Sequence, residues 1–504
     1  MKIMYLILTV ALITVVLNAT NRNPDLDASN FINELSSTEL YEYLQGYIFP
    51  ESPLPGDSLY QEFNTINDTL QAPFIYYIPP VYDHNSKTPL LVYLHGGVNR
   101  PEYLEEPFQF ARENPFLAEA RRLGWFMLFP LANEATMWWD STGIKNIKDQ
   151  IRYMKGLFNI DDDRIYITGF SDGASGSFHL ALCNPDLFAA FYPLNGMLSV
   201  GSAVSSEPVY LPNLANRHVY AINTDNDKLY PAEEMRKVMQ LALDAGADLY
   251  YREYWGFGHN FDYADAALPL LITDMQKRCR DPFPSRIYWE CSHPDFGKID
   301  WLEIIAIDTT RTRENWQQEY NVILTDKRLY FGLYLEEQNG SILITDVVEN
   351  SVATQMGLWK DDIILAMDAI KVNSIEELLD IRDSKDTGDS FSLTINRNGA
   401  ELTLSGAFPD VRYYDALKYN KPSGAVSALY CANVFTMQTS KIKTISIYIS
   451  PQMINPEQPL KIIINDQIYF DDKIEFDKDI IWQEFQKNFD RSNIIINKLT
   501  LQLL

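Results

Sequence analysis

Residues 164–177 restrict the possible folds of this chain more than any other stretch. Arg164-Ile165-Tyr166-Ile167-Thr168 is rich in β-branched and aromatic side chains, and it runs without a break into Gly169-Phe170-Ser171-Asp172-Gly173. Ala174-Ser175-Gly176-Ser177 follows, a set of small residues suited to a helix that packs close to its neighbours. The pattern predicts a strand, a sharp turn and a helix, and the turn fits G-x-S-x-G, the nucleophile elbow. The glycines have a physical reason. A turn this tight holds the serine in a strained backbone, and a Cβ on either side would meet the neighbouring strand or helix. The serine oxygen then stands clear of the sheet at a helix N-terminus, which favours developing negative charge.

The surroundings extend the pattern. Strands are expected at 74–78, 90–94, 126–129, 164–168, 189–194, 219–222 and 249–254, with amphipathic helices at 144–158, 175–182 and 231–245. Continuous apolar runs such as Leu90-Leu91-Val92-Tyr93-Leu94 suit strands buried on both faces. The alternation predicts a mainly parallel sheet covered by helices.

A serine hydroxyl is a weak nucleophile and needs a base. Of six histidines, His259 is the one placed for it, in Gly256-Phe257-Gly258-His259-Asn260-Phe261 just after a strand. Open α/β sheets build their sites in such loops. His95 and His179 read as packing residues, while His84, His218 and His293 have no supporting context. The residue that orients the imidazole should follow the strand at 219–222. Two carboxylates compete there, Asp227 and Asp225, and Asp227 is preferred because it lies just before Pro231, which opens a helix. The order Ser171, Asp227, His259 is that of an α/β-hydrolase. The oxyanion needs two backbone donors. Asp172 N–H is one, and Gly97 N–H, in His95-Gly96-Gly97-Val98, is the preferred other. Trp138-Trp139 follows a strand and either lines an apolar acyl pocket or packs the loop onto the core.

With these segments in place, residues 74–281 resemble an exported α/β-hydrolase of the polyhydroxybutyrate-depolymerase-like or feruloyl-esterase-like group. They also resemble the catalytic domains of prolyl-oligopeptidase-type peptidases. The resemblance rests on Leu94-His95-Gly96-Gly97, Asp163 to Ala174, Asp227-Lys228-Leu229-Tyr230-Pro231 and Gly258-His259-Asn260-Phe261. It implies a serine carboxylesterase working through an acyl-enzyme on a small-molecule or polymeric ester, with no cofactor and no metal. The rival is a secreted serine peptidase, disfavoured because too little chain precedes residue 74 for a β-propeller. A second rival is a non-catalytic peptide-binding protein on a hydrolase scaffold.

Residues 330–408 resemble a PDZ domain. The resemblance is carried by Tyr330-Phe331-Gly332-Leu333-Tyr334-Leu335, Ile344-Thr345-Asp346-Val347, Gly357-Leu358, Asp361-Asp362-Ile363-Ile364 and Ile375-Glu376-Glu377-Leu378. It implies a carboxylate-binding loop at Phe331, Gly332 and Leu333 and capture of a peptide by strand addition, or else a packing module with an unused groove. Around it lie a β-rich connector at 282–329, a linker with Pro and Tyr at 409–422 and a small β-rich C-terminal domain at 423–504. Residues 20–73 read as an N-terminal extension with a helix at 34–47.

Residues 1–19 read as a signal peptide, with Lys2, a nearly unbroken apolar run at 3–17 and a small residue, Ala19, for cleavage. An exported protein is expected, with no stable membrane span after cleavage. The chain carries 42 Lys+Arg against 68 Asp+Glu, a formal net charge of −26. That repels phosphate backbones and argues against nucleic-acid binding. The four cysteines lack metal spacing; Cys279 with Cys291 is the closest pair for a disulfide in an oxidising compartment, and free thiols are the other reading. Asn67-Asp68-Thr69 and Asn339-Gly340-Ser341 fit the glycosylation acceptor pattern.

Overall fold

Strands that are apolar on both faces need helices on both faces, and this requirement organises the first half of the chain. The computed structural model describes residues 32, 34–47, 54–67, 69–205, 207–338, 340–417 and 419–503. The expected leader lies outside the described residues, as do Asp68 and Asn339 of the two glycosylation patterns. After helix α1 (Ser37–Gln45) come β1 (Ser58–Ile66), β2 (Leu70–Ile78), β3 (Thr88–Leu94), α2 (Pro107–Glu113), α3 (Pro115–Leu123) and β4 (Phe126–Pro130). Then follow α4 (Ser141–Leu157), β5 (Ile160–Phe170), α5 (Asp172–Cys183), β6 (Ala190–Leu194), α6 (Ser199–Ser205), β7 (His218–Thr224), α7 (Ala232–Asp244), β8 (Leu249–Tyr254) and α8 (Ala264–Met275).

The eight strands form one sheet in the order β1-β2-β4-β3-β5-β6-β7-β8. The β1–β2 and β2–β4 pairs are antiparallel and the rest are parallel. Successive residues of β3 show why both faces are apolar. Leu90, Val92 and Leu94 join a core with Ile144, Ile147 and Ile151 of α4, Phe178 of α5 and Met235 of α7. Leu91 and Tyr93 join the opposite core with Phe116 and Ala120 of α3 and Leu271 of α8. Helix α4 starts where Asp140 caps the Gly143 N–H at 2.6 Å, and its buried Ile144, Ile147, Ile151 and Met154 recur at helical spacing. The sheet begins at Ser58, ahead of residue 74, where the sequence pattern places its start. As an edge strand with an open side, β1 carries Gln61, Glu62 and Asn64 and lacks an apolar run.

Beyond β8 the chain lays down β9 (Arg286–Cys291), β10 (Lys298–Ile299), β11 (Leu302–Ile307) and β12 (Ile323–Asp326). A compact unit follows: β13 (Leu333–Gln338), β14 (Ser341–Val347), α9 (Val352–Met356), β15 (Ile363–Met367), β16 (Ile370–Lys371), α10 (Ile375–Asp383), β17 (Ser390–Arg397) and β18 (Ala400–Ala407). The chain returns through β19 (Arg412–Asp415) to β20 (Gly424–Cys431), β21 (Val434–Ser440), β22 (Ile442–Ile449), β23 (Leu460–Ile464), β24 (Gln467–Asp472), α11 (Lys478–Asn488) and β25 (Asn497–Gln502). The compact unit has its own sheet, β13-β14-β15-β17-β18, with β13 at one edge, and its own core around Phe331, Ile344, Leu378 and Phe391.

The segments read as a connector and as a separate C-terminal domain are one body. Strand β9 pairs with β20 in the sheet β24-β23-β21-β20-β9, and β11 pairs with β22 in the sheet β10-β11-β22-β25. They share a core of Trp289, Trp301, Phe435, Ile447 and Ile462, covered by Leu40 and Leu44 of α1 and Phe485 of α11. The compact unit is therefore inserted into this body, entering by β12 and leaving by the antiparallel β19, with Leu324 opposite Tyr414.

A buried ionic cluster fixes this body to the hydrolase-like sheet. Arg491 Nε donates to Asp162 Oδ2 at 2.9 Å, Lys155 Nζ lies 3.0 Å from Asp162 Oδ1, and Arg280 Nη1 lies 2.8 Å from Asp490 Oδ2. All five side chains are buried. The four cysteines are unpaired, Cys279 exposed and Cys291 buried, so of the two readings of that pair the structure has the free thiols. Among the described residues no helix is long and apolar enough to cross a membrane.

Removing one partner of a buried ion pair leaves the other charge uncompensated. Asp490→Ala leaves Lys155 with Asp162 and Arg280 with Asp163, but takes one carboxylate from a buried cluster that also holds Arg491, and is expected to lower stability by about 3 kcal/mol, read as a lower urea midpoint at unchanged m.

Candidate active site

The turn between β5 and α5 is built by close approach. A Cβ on Gly173 would lie 1.9 Å from Leu94 O, and one on Gly169 would lie 2.5 Å from Gly173 C. Strand β3 and helix α5 therefore cross with only glycine between them. Ser171 sits at the apex with φ 60°, a left-handed conformation costing about 1–3 kcal/mol that the crossing imposes. Its N–H donates to Leu194 O at 3.1 Å, and its carbonyl accepts from Ser175 N at 3.0 Å, the first bond of α5.

His259 reaches this serine from the loop after β8. His259 Nε2 lies 2.8 Å from Ser171 Oγ, and His259 Nδ1 lies 2.8 Å from Asp227 Oδ2. The ring is packed between Phe170, at 5.0 Å between centroids, and Tyr230, at 5.6 Å. Asp227 is 2 % exposed. Burial raises its pKa, but the hydrogen bond and charge of His259, the Asn195 amide and the Tyr230 N–H outweigh it and hold the carboxyl below its usual range. An ionised carboxylate can only accept, so Nδ1 carries the imidazole proton and the Nε2 lone pair meets the serine hydroxyl.

The two competing carboxylates have different tasks. Asp227 Oδ1 accepts from Leu229 N at 2.8 Å and Tyr230 N at 2.9 Å, which leaves Oδ2 for His259 and Asn195. Asp225 Oδ1 accepts from Gly256 N at 2.7 Å and pins the turn that leads to His259.

Asn195 is a site residue that the sequence reading missed. It has φ 51°, donates to Asp227 Oδ2 at 2.8 Å and accepts from the Tyr263 hydroxyl. Its position was a usable signal, since it directly follows β6, the neighbour of the elbow strand, at the carboxyl edge of the sheet.

The loop opposite the serine is held by His95 and Asp172. Burial pushes the His95 imidazole down to about 4, so it is neutral; Nε2 accepts from Ala132 N at 3.0 Å and Nδ1 donates to Gly96 O at 2.8 Å. Asp172 Oδ2 accepts from Val98 N at 3.1 Å. A Cβ on Gly96 would lie 3.0 Å from Ser171 Cβ, and Gly97, at φ 65°, borders open space. Asp172 is the first residue of α5, so its N–H has no intrahelical acceptor. Trp138 and Trp139 do not line an open pocket. Trp138 is fully buried, its indole donates to His95 O at 2.9 Å, and it packs where a Cβ on Gly176 would fall 2.4 Å from it. Trp139 is buried in the same core.

In the inserted unit, the loop before β13 depends on Gly332. With φ 79°, a Cβ there would lie 2.1 Å from Ser351 Cβ. Phe331 turns into the core against Phe391 and Phe408, and Leu333 opens β13, whose outer edge is unpaired in the sheet and faces α10.

Comparison with known proteins agrees with this division. Residues 132–280 match the dienelactone hydrolase family and residues 330–406 match the PDZ domain. The chain thus carries an α/β-hydrolase domain, a PDZ domain and a β-rich C-terminal region. A bifunctional acetylxylan esterase/xylanase of Neocallimastix patriciarum is 30% identical over 141 residues, which are 27% of this chain and 19% of that protein. The matched segment thus spans about a fifth of that relative. Among solved structures, a thermostable esterase aligns with TM-score 0.36 and 20% identity, covering 44% of this chain and 64% of that one. A ferulic acid esterase aligns with TM-score 0.37 and 15% identity, covering 44% and 98%. At these scores the structural likeness carries no functional argument.

The crossing at Gly173 yields a direct test. Gly173→Ala puts a methyl group onto Leu94 O and is expected to destabilise the protein by about 3 kcal/mol or more, seen as a lowered Tm.

Proposed function

We propose that this chain is an exported serine carboxylesterase in which Ser171 attacks, His259 moves the proton and Asp227 orients the imidazole. One observation carries the reading: the continuous 2.8 Å contacts from Ser171 through His259 to Asp227, at an elbow that only glycines permit. In the first half-reaction Ser171 Oγ adds to the ester carbonyl as its proton passes to His259 Nε2. The tetrahedral oxyanion is held by the N–H groups of Asp172 and Gly97. Collapse expels the alcohol, which takes the proton from His259 and leaves an acyl group on Ser171. Water, deprotonated by the same nitrogen, then releases the acid. Asp227 stays ionised throughout and stabilises the imidazolium.

The relative that hydrolyses acetylated xylan suggests short acyl esters on carbohydrate as the substrate class. Export rests on the leader read from residues 1–19. The PDZ domain is proposed to hold a peptide along β13, with its chain end at Phe331-Gly332-Leu333.

Hydrolysis of acetyl, butyryl and feruloyl esters tests the reading. Ser171→Ala is expected to lower kcat by about 10⁴-fold or more, and Asp227→Asn by about 10⁴-fold. Asp225→Asn should stay within about tenfold of wild type. Peptide amides cleaved as fast as esters would instead identify a peptidase. Equal loss in both aspartate variants would remove Asp227 from its special role.

A further inference from the structure

The PDZ domain is docked on the face of the hydrolase domain that holds Asp227. Leu324 of β12 and Leu417 beyond β19 are buried in the hydrolase core, and Thr325 N donates to Glu234 Oε2 of α7 at 2.9 Å. Tyr414 of β19 reaches Met197 Sδ at 3.4 Å. These contacts bring two parts of the PDZ groove against the loop 225–230.

The first part is the end of α10. Lys228, the residue after Asp227, donates from Nζ to Asp383 O at 2.5 Å, and Asp383 is the last residue of α10. The second part is the start of the carboxylate loop. Tyr330 lies close enough to Tyr230 to help push the Tyr230 phenol up, behind burial and Asp172. Tyr230 in turn donates its N–H to Asp227 and packs on His259. Helix α10 packs against β13, the strand into which the carboxylate loop leads. In an extended peptide added to β13, this is the end that receives the terminal carboxylate.

The charges at this end are unequal. Arg382 pairs with Asp383 at 2.7 Å, and Arg328 pairs with Asp326 at 2.8 Å while lying over the Tyr330 ring. Lys228 is exposed, and no carboxylate among the described residues pairs with it. An ammonium has three N–H donors, and one goes to the Asp383 carbonyl. The cavity beside Tyr330 and Gly332 is lined by Asp326, Glu349 and Asp410 as well as Arg328 and Arg412, so in a chain of net charge −26 Lys228 adds a cation at the α10 side of this end.

Resting on the reading of both domains given above, we propose that the carboxylate end of the PDZ groove is a two-domain site. Lys228 of the hydrolase domain supplies the cation for a peptide's terminal carboxylate, and occupancy is transmitted through the loop 227–230 to the hydrolase site. The ligand class is an extended peptide with a free C-terminus. The edge of β13 gives it backbone partners, and Leu333 and Leu335, partly buried against the PDZ core, give its last side chain an apolar seat.

The test pans a heptapeptide library with free C-termini against the full chain and uses the most enriched peptide, made as the free acid and as the C-terminal amide. The free acid is expected to bind about tenfold tighter than the amide. Lys228→Gln should weaken the acid about tenfold and leave the amide unchanged, and Lys228→Arg should restore most of the loss. Saturating peptide acid should change kcat/KM for nitrophenyl acetate at least about twofold in wild type and not in Lys228→Gln. Equal affinity of wild type and Lys228→Gln for the acid overturns the two-domain site. Binding without any change in hydrolysis overturns the transmission. Enrichment of no peptide by an active esterase removes the PDZ reading and this proposal with it. Peptide binding to a protein that hydrolyses no ester removes the esterase reading and the transmission, while the affinity comparison still decides the part of Lys228.

Discussion

The crossing of β3, β5 and α5 is the constraint on which the rest of the hydrolase domain depends. Leu94 O, Gly169 and Gly173 meet with no room for a side chain. That contact forces Ser171 into a left-handed conformation and aims its hydroxyl away from the sheet. It also brings Gly96 against Ser171 and sets Asp172 where its carboxylate holds Val98. The loops after β7 and β8 then meet the serine because parallel strands deliver their carboxyl ends to one edge. Asp227 and Asn195 come from successive strand ends, and Gly258 O accepts from Thr224 Oγ1 to tie the histidine loop to the acid loop.

Local patterns made much of this legible. Apolar runs such as 90–94 announced strands buried on both faces, and G-x-S-x-G announced the turn because its chemistry is confined to five consecutive residues. Features that depend on distant partners were hidden. Strand β1 reads as polar because one of its edges is open. The pairing of β9 with β20 joins residues separated by the whole PDZ insertion, and no local pattern reports it. The aspartates 225 and 227 share one loop, and only the direction of each side chain separates a partner of His259 from a partner of Gly256. By position Trp138 reads either as a pocket residue or as packing onto the core, and it is the small Gly176 on α5, distant in sequence, that leaves the space that buries it.

The insertion of the PDZ domain gives the architecture its functional meaning. A domain joined by one flexible linker would sample many positions. Here the chain enters and leaves by paired strands, β12 and β19, and their apolar side chains sit in the hydrolase core. The PDZ unit is thus held against α7 and the acid loop. The β-rich body is fixed in turn by buried charges, with Arg491 on Asp162 and Arg280 on Asp490. Lys228 Nζ donates to Asp383 O and ties the acid loop to the end of α10.

The central claim is that Ser171 forms a covalent acyl intermediate. Acid quench of the wild-type protein during turnover of nitrophenyl acetate, followed by peptide mass mapping, tests it most directly. The account predicts one acetyl group, on the peptide that contains Ser171. Steady hydrolysis with no acetylated peptide, or with the acetyl group on another residue, would contradict it.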